Sequence, residues 1–228
     1  MTDTAQPAVL TSRQDHILIV TINRPEARNA VNAAVHVGLG EGLEQAEADP
    51  DIRAVIVTGA GDQAFCAGAD LKALSRGERL EPEDKAQRAW GFAGFVQHPI
   101  GKPIIAAAGG AFRIVQQLPR KIAMQLLLTG EPISAQRALD LGLANEVVPL
   151  GKLLDTALDF AESIAVNAPL AVQASKRIAM GIAEGRIASD EDFWEANKRE
   201  TRLVITSEDS REGPRAFAEK RQPVWQAR

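Results

Sequence analysis

The sequence is poor in cysteine, histidine and aromatic residues, and each shortage excludes a class of site. Cys66 is the only cysteine among the 228 residues, so neither an intrachain disulfide nor a cysteine-based zinc cluster can form. The three histidines lie far apart and have no partner at the spacing of a metal site or a catalytic triad. Aromatic residues make up 4% of the chain and tyrosine is absent, which leaves little material for stacking bases or sugars. We therefore expect no metal site.

A strong charge of one sign and long apolar runs are also missing. The 26 Lys and Arg residues nearly balance the 30 Asp and Glu residues, giving a net charge of −4, so binding to nucleic acid through charge alone is disfavoured. No apolar run approaches the roughly 18 residues that a membrane-spanning helix needs. Residues 1–14 are polar and lack the basic and apolar segments of a secretory signal. We expect a cytoplasmic protein without a nucleic-acid or membrane partner.

The sequence does contain a strand, helix, strand pattern near its start. The β-branched run at residues 17–22 predicts a strand that ends before a proline. Apolar residues then recur at spacings of three and four over residues 29–49, which predicts a helix with one buried face. Residues 52–58 predict a second strand, and residues 104–107 a further short one. This order favours parallel strands joined by a right-handed crossover.

After Pro119 the pattern becomes almost entirely helical. Helices are predicted at 120–128, 134–141, 152–166 and 169–180, and another one from Ser189. The only strand signal in this half is weak and lies at residues 146–148. We therefore predict an α/β fold with a core over residues 1–168 and a helical C-terminal part over residues 169–228.

The segment of small residues from Ala64 to Leu71 is the strongest candidate for chemistry. It follows a predicted buried strand directly and leads into a predicted helix near Asp70. Such a turn lets backbone N–H groups point at one spot without obstruction by side chains, as an oxyanion-binding site requires. Taken alone, however, the pattern is more typical of a plain strand-to-helix turn.

A series of short motifs runs along nearly the whole chain from about Val9. The motifs are NRPEARNA at 23–30, VIVTG at 55–59, FCAGADL at 65–71, KPIIAA at 102–107, LPR at 118–120, LLTGEPISA at 127–135, GLANEVV at 142–148 and FAEKR at 217–221. Their order and spacing resemble the enoyl-CoA hydratase (crotonase) family. An ordered series of this kind is far more specific than any single motif.

The resemblance implies a fold, a substrate class and an assembly. The expected fold is a crotonase-like spiral of strand-strand-helix turns with a helical C-terminal part that mediates trimers, often in pairs. The expected substrates are acyl-CoA thioesters, and coenzyme A is then part of the substrate. No metal or redox cofactor is expected for this chemistry.

The resemblance also implies roles for particular residues. The backbone N–H of Ala69 is expected to be one of two donors to the thioester oxygen. The residues expected to hold the pantetheine and adenine of coenzyme A are Ala27, Arg28, Ala67, Gly68, Asp70 and Leu71. Phe217 and Lys220 are expected to reach the nucleotide from a neighbouring subunit's tail, although an ordinary amphipathic terminal helix would explain both residues equally well.

The chain departs from the family pattern near residues 107–109. In the family, the lysine-proline strand leads to glycines that supply the second oxyanion donor, followed by a helix and a loop that carry two catalytic glutamates. Here three alanines pass at once into Gly109-Gly110, which resembles the stretch after the second glutamate. Several tens of residues are missing in between, and Glu131 is interpreted as a turn residue that inherits neither role. Either the written sequence omits a segment or the deletion is genuine.

These observations lead to one preferred function and two alternatives. The preferred function is that of a lyase which hydrates trans-2-enoyl-CoA to 3-hydroxyacyl-CoA, provided that an omitted segment carries the catalytic glutamates. An enoyl-CoA isomerase, or another acyl-CoA reaction of the family, would use the same oxyanion site with different acid and base residues. A noncatalytic trimer that binds acyl-CoA is expected if the chain is complete as written. The sequence leaves the preferred acyl chain open.

Overall fold

The computed structural model describes residues 6–105 and 111–228. In these residues one sheet has the strand order β1-β2-β3-β4, and β5 and β6 form a separate antiparallel hairpin. The strands are β1 Val9–Gln14, β2 Ile17–Ile22, β3 Ala54–Gly59, β4 Ile104–Ile105, β5 Ile182–Ala183 and β6 Arg186–Ile187. β1 runs antiparallel to β2, whereas β2, β3 and β4 are parallel.

Helices surround this sheet and make up most of the second half of the chain. They are α1 Ala33–Ala48, α2 Leu71–Ser75, α3 Lys85–Ala89, α4 Ala111–Gln117, α5 Arg120–Thr129, α6 Ala135–Asp140, α7 Leu153–Ala165, α8 Pro169–Met180, α9 Glu191–Thr206 and α10 Asp209–Glu219. No helix in the described ranges has both the length and the apolarity required to cross a membrane.

Strands β2 and β3 are buried on both faces, as their apolar sequences require. Alternate side chains of β2 join two separate clusters, because successive residues of a strand point to opposite faces. Leu18 and Val20 pack with the buried stripe of α1, whereas Ile17 and Ile19 pack with Ala161 of α7. α7 is therefore part of the same core as the sheet. The domain boundary predicted at residue 168 also assigns α7 to the core, and that boundary stays a prediction.

α1 begins and ends with polar contacts and contains unusual close packing. The Asn32 side chain accepts a hydrogen bond from the Val35 N–H and so caps the first turn. In the middle of the helix, Gly40 leaves a notch that the Trp90 ring fills, and a Cβ at that position would collide with the ring. At the other end, the buried Lys102 ammonium donates to the last backbone carbonyls. One helix thus fixes the chain segment that leads to β4.

The predicted elements agree with the structure where the apolar pattern is strong. The strand predicted at 17–22 is β2, and the first crossover is the parallel connection from β2 through α1 to β3. The weak strand signal at 146–148 is wrong, because the structure has no strand there. Of the strand predicted at 104–107, only Ile104–Ile105 lies in the described residues. The junction at residues 107–109 lies outside them.

Candidate active site

The turn that carries Ala69 is built on the end of β3. Gly59 closes that strand, and a Cβ at this position would collide with the Phe65 carbonyl oxygen. Glycine therefore lets the chain double back close to its own strand end. The following residues form the turn at 64–71 before α2 begins.

The Asn29 side chain connects this turn to the segment that follows β2 through hydrogen bonds. Its side chain is fully buried, and its Nδ2 donates to the carbonyl oxygens of Ala60 at 2.9 Å and Ala64 at 2.8 Å. Its Oδ1 accepts a hydrogen bond of 3.0 Å from the Arg24 N–H. Arg28 and Asn29 have φ angles of 52° and 55°, in the left-handed region where asparagine is tolerated better than most residues. Both segments of the site are therefore fixed by one polar side chain.

Backbone hydrogen bonds then place the turn itself. The Ala67 N–H donates to the Arg28 carbonyl at 3.0 Å, and Val31 exchanges hydrogen bonds with Gly68 and Asp70 on either side of Ala69. Within the part of the chain that the structure describes, the Ala69 N–H itself donates to no partner. Gly68, directly before it, has a φ of +84°, and Ala69 is partly exposed. The N–H groups of Ala67, Gly68 and Asp70 all have acceptors, whereas the Ala69 N–H has none among the described residues.

The Asp70 carboxylate stabilises the turn and does not serve as a free base. It pairs with Arg24 at 2.9 Å and also accepts a hydrogen bond from the Ala73 N–H, which caps α2. Burial raises the pKa of this carboxyl, but the hydrogen bonds from Ala73 and Arg24 outweigh that effect, so the pKa lies below its ordinary value. Arg24 also donates to the Ala30 carbonyl, so the ion pair ties together the same two segments as Asn29.

The predicted site residues from the first half of the chain come together. Ala67, Gly68, Asp70 and Leu71 flank Ala69 in the turn or at the start of α2, and Arg28 is bonded to the turn through its carbonyl. Ala27 ends the short 3₁₀ turn Pro25–Ala27 just before Arg28. Their roles toward a ligand stay predictions.

Phe217 and Lys220 lie at the C-terminal end of α10. The family resemblance predicts that a neighbouring subunit supplies such a tail, and in the structure α10 packs against α2 of its own chain. Phe217 is 57% exposed and Lys220 is exposed as well. The structure therefore places Phe217 on α10 and Lys220 directly after it, and neither is buried, while α10 lies against α2, which follows the Ala69 turn of the same chain.

Glu78 and Glu131 are poor candidates for general bases. Arg76 hydrogen-bonds to Glu78 at 2.5 Å and lowers the pKa of that carboxyl. Glu131 is exposed in the turn between α5 and the Ser134 cap of α6, as the sequence predicted. Among the residues the structure describes, no group of three or more His, Cys, Asp or Glu side chains could hold a metal ion.

Sequence reasoning missed two residues that build the site. Arg24 and Asn29 lie in the 23–30 motif, but their partners are up to 46 positions away, and nothing local to the motif points to them. It also missed a cavity of about 830 Å³ between α1, the segment after α3 and α9, which residues 64–71 do not line.

Comparisons with known proteins show the family to which the chain belongs. A sequence model of the family described as enoyl-CoA hydratase/isomerase matches residues 12–92 and 92–228. The enoyl-CoA hydratase EchA19 of Mycobacterium tuberculosis is 36% identical over 263 aligned residues, which cover 97% of each chain. A carnitinyl-CoA dehydratase of Proteus mirabilis is 35% identical over 265 residues, which cover 98% of this chain and 100% of that one.

Solved structures agree with the sequence relatives. EchA1_1 from Mycobacterium paratuberculosis has a TM-score of 0.92 at 50% identity, covering 98% of this chain and 100% of the other. A carnitinyl-CoA hydratase from Mycobacterium avium has a TM-score of 0.92 at 47% identity with the same coverage.

The alignments also bear on the length of the chain. Both sequence alignments are longer than the 228 residues present here, although they cover nearly all of each relative. Several tens of positions in each relative therefore have no counterpart in this chain.

Proposed function

Because the chain belongs to the enoyl-CoA hydratase/isomerase family, we propose that it binds acyl-CoA thioesters at the Ala69 turn and hydrates trans-2-enoyl-CoA to 3-hydroxyacyl-CoA. The observation that carries this proposal is the Ala69 N–H, which donates to no partner in the described residues although the N–H groups of Ala67, Gly68 and Asp70 are hydrogen-bonded. The names of the relatives describe the addition or removal of water, which favours a lyase over an isomerase.

The proposed chemistry follows from where charge develops. Water adds its oxygen to C3 of the enoyl group, and a proton is added at C2, while negative charge builds up on the thioester oxygen. The Ala69 N–H would donate to that oxygen and stabilise the enolate-like transition state, and one such donor is typically worth about 3 kcal/mol. The protein supplies a fixed dipole there, and the reaction as proposed uses no cofactor besides the coenzyme A of the substrate.

One observation favours a second candidate, a noncatalytic acyl-CoA-binding protein. Hydration needs residues that position water and deliver a proton. Asp70 and Glu78 are held by arginines and have lowered pKa values, which makes them weak bases. If the chain is complete as written, these carboxylates do not replace the missing glutamates, and binding without turnover is the expected outcome.

We also propose an assembly and a location. A trimer, or a pair of trimers, is supported by large apolar side chains that the helices leave exposed, such as Leu128 at 77% and Ile178 at 82%. Burial of such surface between subunits is a strong driving force for association. A cytoplasmic location rests on the sequence alone.

The oxyanion assignment is tested by removing one N–H. Ala69→Pro deletes the donor and should lower kcat/KM for crotonyl-CoA by roughly 10²-fold or more, because proline has no backbone N–H. Ala69→Gly keeps the donor and serves as the matched control, with near-normal turnover expected. Circular dichroism checks that both variants fold, and a folded Ala69→Pro protein with full turnover would refute the assignment.

The two candidate functions are separated by intact-protein mass and a hydration assay. A mass several kDa above 24.5 kDa, with glutamate-bearing peptides near residues 106–109, should accompany hydratase activity. A mass equal to 24.5 kDa should accompany near-background turnover, because each lost acid or base role usually costs about 10²–10⁴-fold in rate. Normal hydration by a chain of that mass would contradict both candidates as argued.

A further inference from the structure

The Asp70 carboxylate creates an electrostatic conflict at the candidate site. Its Oδ1 accepts a hydrogen bond of 3.0 Å from the Ala73 N–H and so caps the first turn of α2. The same carboxylate belongs to the residue directly after Ala69, whose N–H is the proposed donor to the thioester oxygen. A fixed negative charge beside that donor opposes the negative charge that develops on the oxygen. A cation is therefore required beside Asp70 to offset the charge of the cap.

Arg24 supplies that cation. Its Nη2 donates to Asp70 Oδ2 at 2.9 Å, and its Nη1 donates to the Ala30 carbonyl at 2.6 Å. The side chains of Arg24 and Asp70 are only 18% and 9% exposed, so salt screens this pair less than it screens an exposed pair. Burial raises the pKa of the Asp70 carboxyl, but the hydrogen bonds from Ala73 and Arg24 lower it further than burial raises it, so the carboxylate is charged at neutral pH.

Two other charged groups that act on Asp70 form a pair of their own. Arg76 and Glu78 act on the Asp70 carboxylate with opposite signs, and they are bound to each other at 2.5 Å. Both of these side chains are more than half exposed, so solvent screens them. Arg24 is therefore the cation that sets the net charge beside the Ala69 N–H.

We propose that Arg24 is a positioning residue that acts through Asp70, neutralising the carboxylate beside the Ala69 N–H so that negative charge can develop on the thioester oxygen. This inference rests on the proposed function, because it concerns the same donor and the same oxygen. Without Arg24, the carboxylate would repel the developing charge. Coulomb's law at an effective dielectric constant of about 20 gives roughly a 10-fold loss of rate for two such charges about 10 Å apart.

A pair of substitutions separates this electrostatic role from a purely structural one. Arg24→Gln leaves the Asp70 carboxylate unpaired, so we expect kcat for crotonyl-CoA to fall roughly 10-fold with little change in KM. Adding Asp70→Asn removes the charge as well, while the amide oxygen can still accept the hydrogen bond that caps α2, so most of the lost kcat should return. The bond to the Ala30 carbonyl stays missing in the double variant. A double variant no faster than Arg24→Gln would therefore overturn the inference.

Arg13 offers a matched control at the opposite end of the sheet. Its Nη1 pairs with Asp49 Oδ2 at 3.1 Å, a geometry close to that of Arg24 with Asp70. Arg13 is at the end of β1 that lies beside the start of β2, whereas the candidate turn follows the end of β3. Arg13→Gln should leave kcat unchanged. A loss as large as that of Arg24→Gln would show that the effect does not depend on nearness to Ala69, and would overturn the inference.

Infrared spectroscopy of a bound, unreactive thioester gives a readout that requires no turnover. Butyryl-CoA labelled with ¹³C at its carbonyl has no double bond to hydrate, and a hydrogen bond to its oxygen lowers the C=O stretching frequency. We expect a downshift on binding to the wild-type protein, a smaller one with Arg24→Gln, and the wild-type value in the double variant. A downshift in the double variant no larger than that in Arg24→Gln would count against the role of Arg24.

A second variant decides the matter if Arg24→Gln fails to fold, as judged by circular dichroism. Asp70→Asn alone leaves the Arg24 charge uncompensated, so it should make the carbonyl downshift larger than in the wild-type protein. Loss of a purely structural link would instead make the downshift smaller. A downshift in Asp70→Asn no larger than that of the wild type would therefore overturn the inference.

The failure of this inference differs from the failure of the proposed function. A wild-type protein that does not bind butyryl-CoA, or binds it without a downshift, would contradict the oxyanion function and the role of Arg24 together. The same downshift in the wild type and in a folded Arg24→Gln protein would leave the function standing and overturn the inference alone.

Discussion

At the scale of single residues, the candidate site is held together by buried polar side chains that do no chemistry themselves. Asn29 joins three backbone groups from two segments, and Arg24 and Asp70 join the same segments a second time. These contacts fix the Ala69 N–H relative to the strand end. Precise placement of a donor matters because misplacement by about 1 Å can cost a large part of its effect.

We predict that Asn29→Ala costs about 3 kcal/mol of folding stability. The substitution leaves the partly buried carbonyls of Ala60 and Ala64 without this donor, and each such group costs roughly 1–3 kcal/mol. Asn32→Ala is the matched control, because it removes only a helix cap worth about 1 kcal/mol. Urea unfolding followed by circular dichroism measures both variants. Equal losses in the two variants would contradict the role of Asn29 as a buried link between the two segments.

The sequence anticipated the small residues of the Ala69 turn but not the residues that hold them. The turn is a local pattern of small side chains after a strand, and such a pattern is visible in a single sequence. The role of Asn29 depends on partners 31 and 35 positions away, and the Arg24–Asp70 pair spans 46 positions. No local spacing encodes contacts of that range.

At the scale of elements, the end of α1 is where the second half of the chain meets the first. Lys176 of α8 donates to the Lys102 carbonyl, and Gly101 donates to Glu47 of α1 at 3.0 Å. Burial lowers the pKa of Lys176 to about 8, although the nearby Glu47 works in the opposite direction. Burial likewise lowers the pKa of Lys102, against the effects of Glu47 and Asp49. The docking of α8 therefore carries an electrostatic cost.

We predict that this cost makes stability depend on pH. In the unfolded chain the pKa of a lysine is about 10.4. Between about pH 8 and 10 the unfolded state therefore binds more protons than the folded one, so stability rises with pH there. Lys176→Met should remove part of this rise, and Lys198→Met, at an exposed position, should leave it unchanged. Free energies of unfolding at about pH 7 and pH 10 test the difference, and parallel curves for wild type and Lys176→Met would contradict it.

Elements were predictable from the sequence in proportion to their burial. β2 and β3 are buried on both faces and stand out as apolar runs, and α1 stands out by its periodic stripe. β1 is mostly exposed and has no alternating apolar pattern, so it gave no comparable signal. It exists because the edge of β2 offers a full ladder of backbone partners.

At the scale of the whole molecule, the described helices leave more apolar surface exposed to solvent than is usual for a monomeric protein. Leu203, Val204 and Ile205 are consecutive on α9 and each is more than 60% exposed. In the described chain α10 packs on α9 and α2, so the tail connects this surface with the Ala69 turn. Assembly and ligand binding are therefore expected to be coupled.

We predict that deleting residues 211–228 weakens both properties. Static light scattering at micromolar concentration should show loss of the trimer or hexamer, and calorimetry should show weaker binding of coenzyme A. An intact chain with Arg199→Ala, an exposed change on α9, is the control and should resemble wild type. A full-length monomer with undiminished affinity for coenzyme A would contradict the coupling.

The property of the whole molecule that the sequence indicated most directly is its short length relative to the family pattern. Motifs on either side of residues 107–109 are spaced too closely, and relatives do align over more positions than this chain has. The acid and base residues are predicted to lie in the stretch that has no counterpart in this chain. The reaction type therefore had to be inferred from the family.

The close fit of Trp90 into the notch at Gly40 also makes these two positions interdependent during sequence divergence. Any side chain at position 40 collides with an indole at position 90, and an indole lost from position 90 leaves a void beside the helix. Related proteins with this packing should change the two positions together, with bulk gained at one offset by bulk lost at the other. Covariation of positions 40 and 90 across an alignment would record that history, and a Gly40→Ala, Trp90→Leu double variant should be more stable than Gly40→Ala alone.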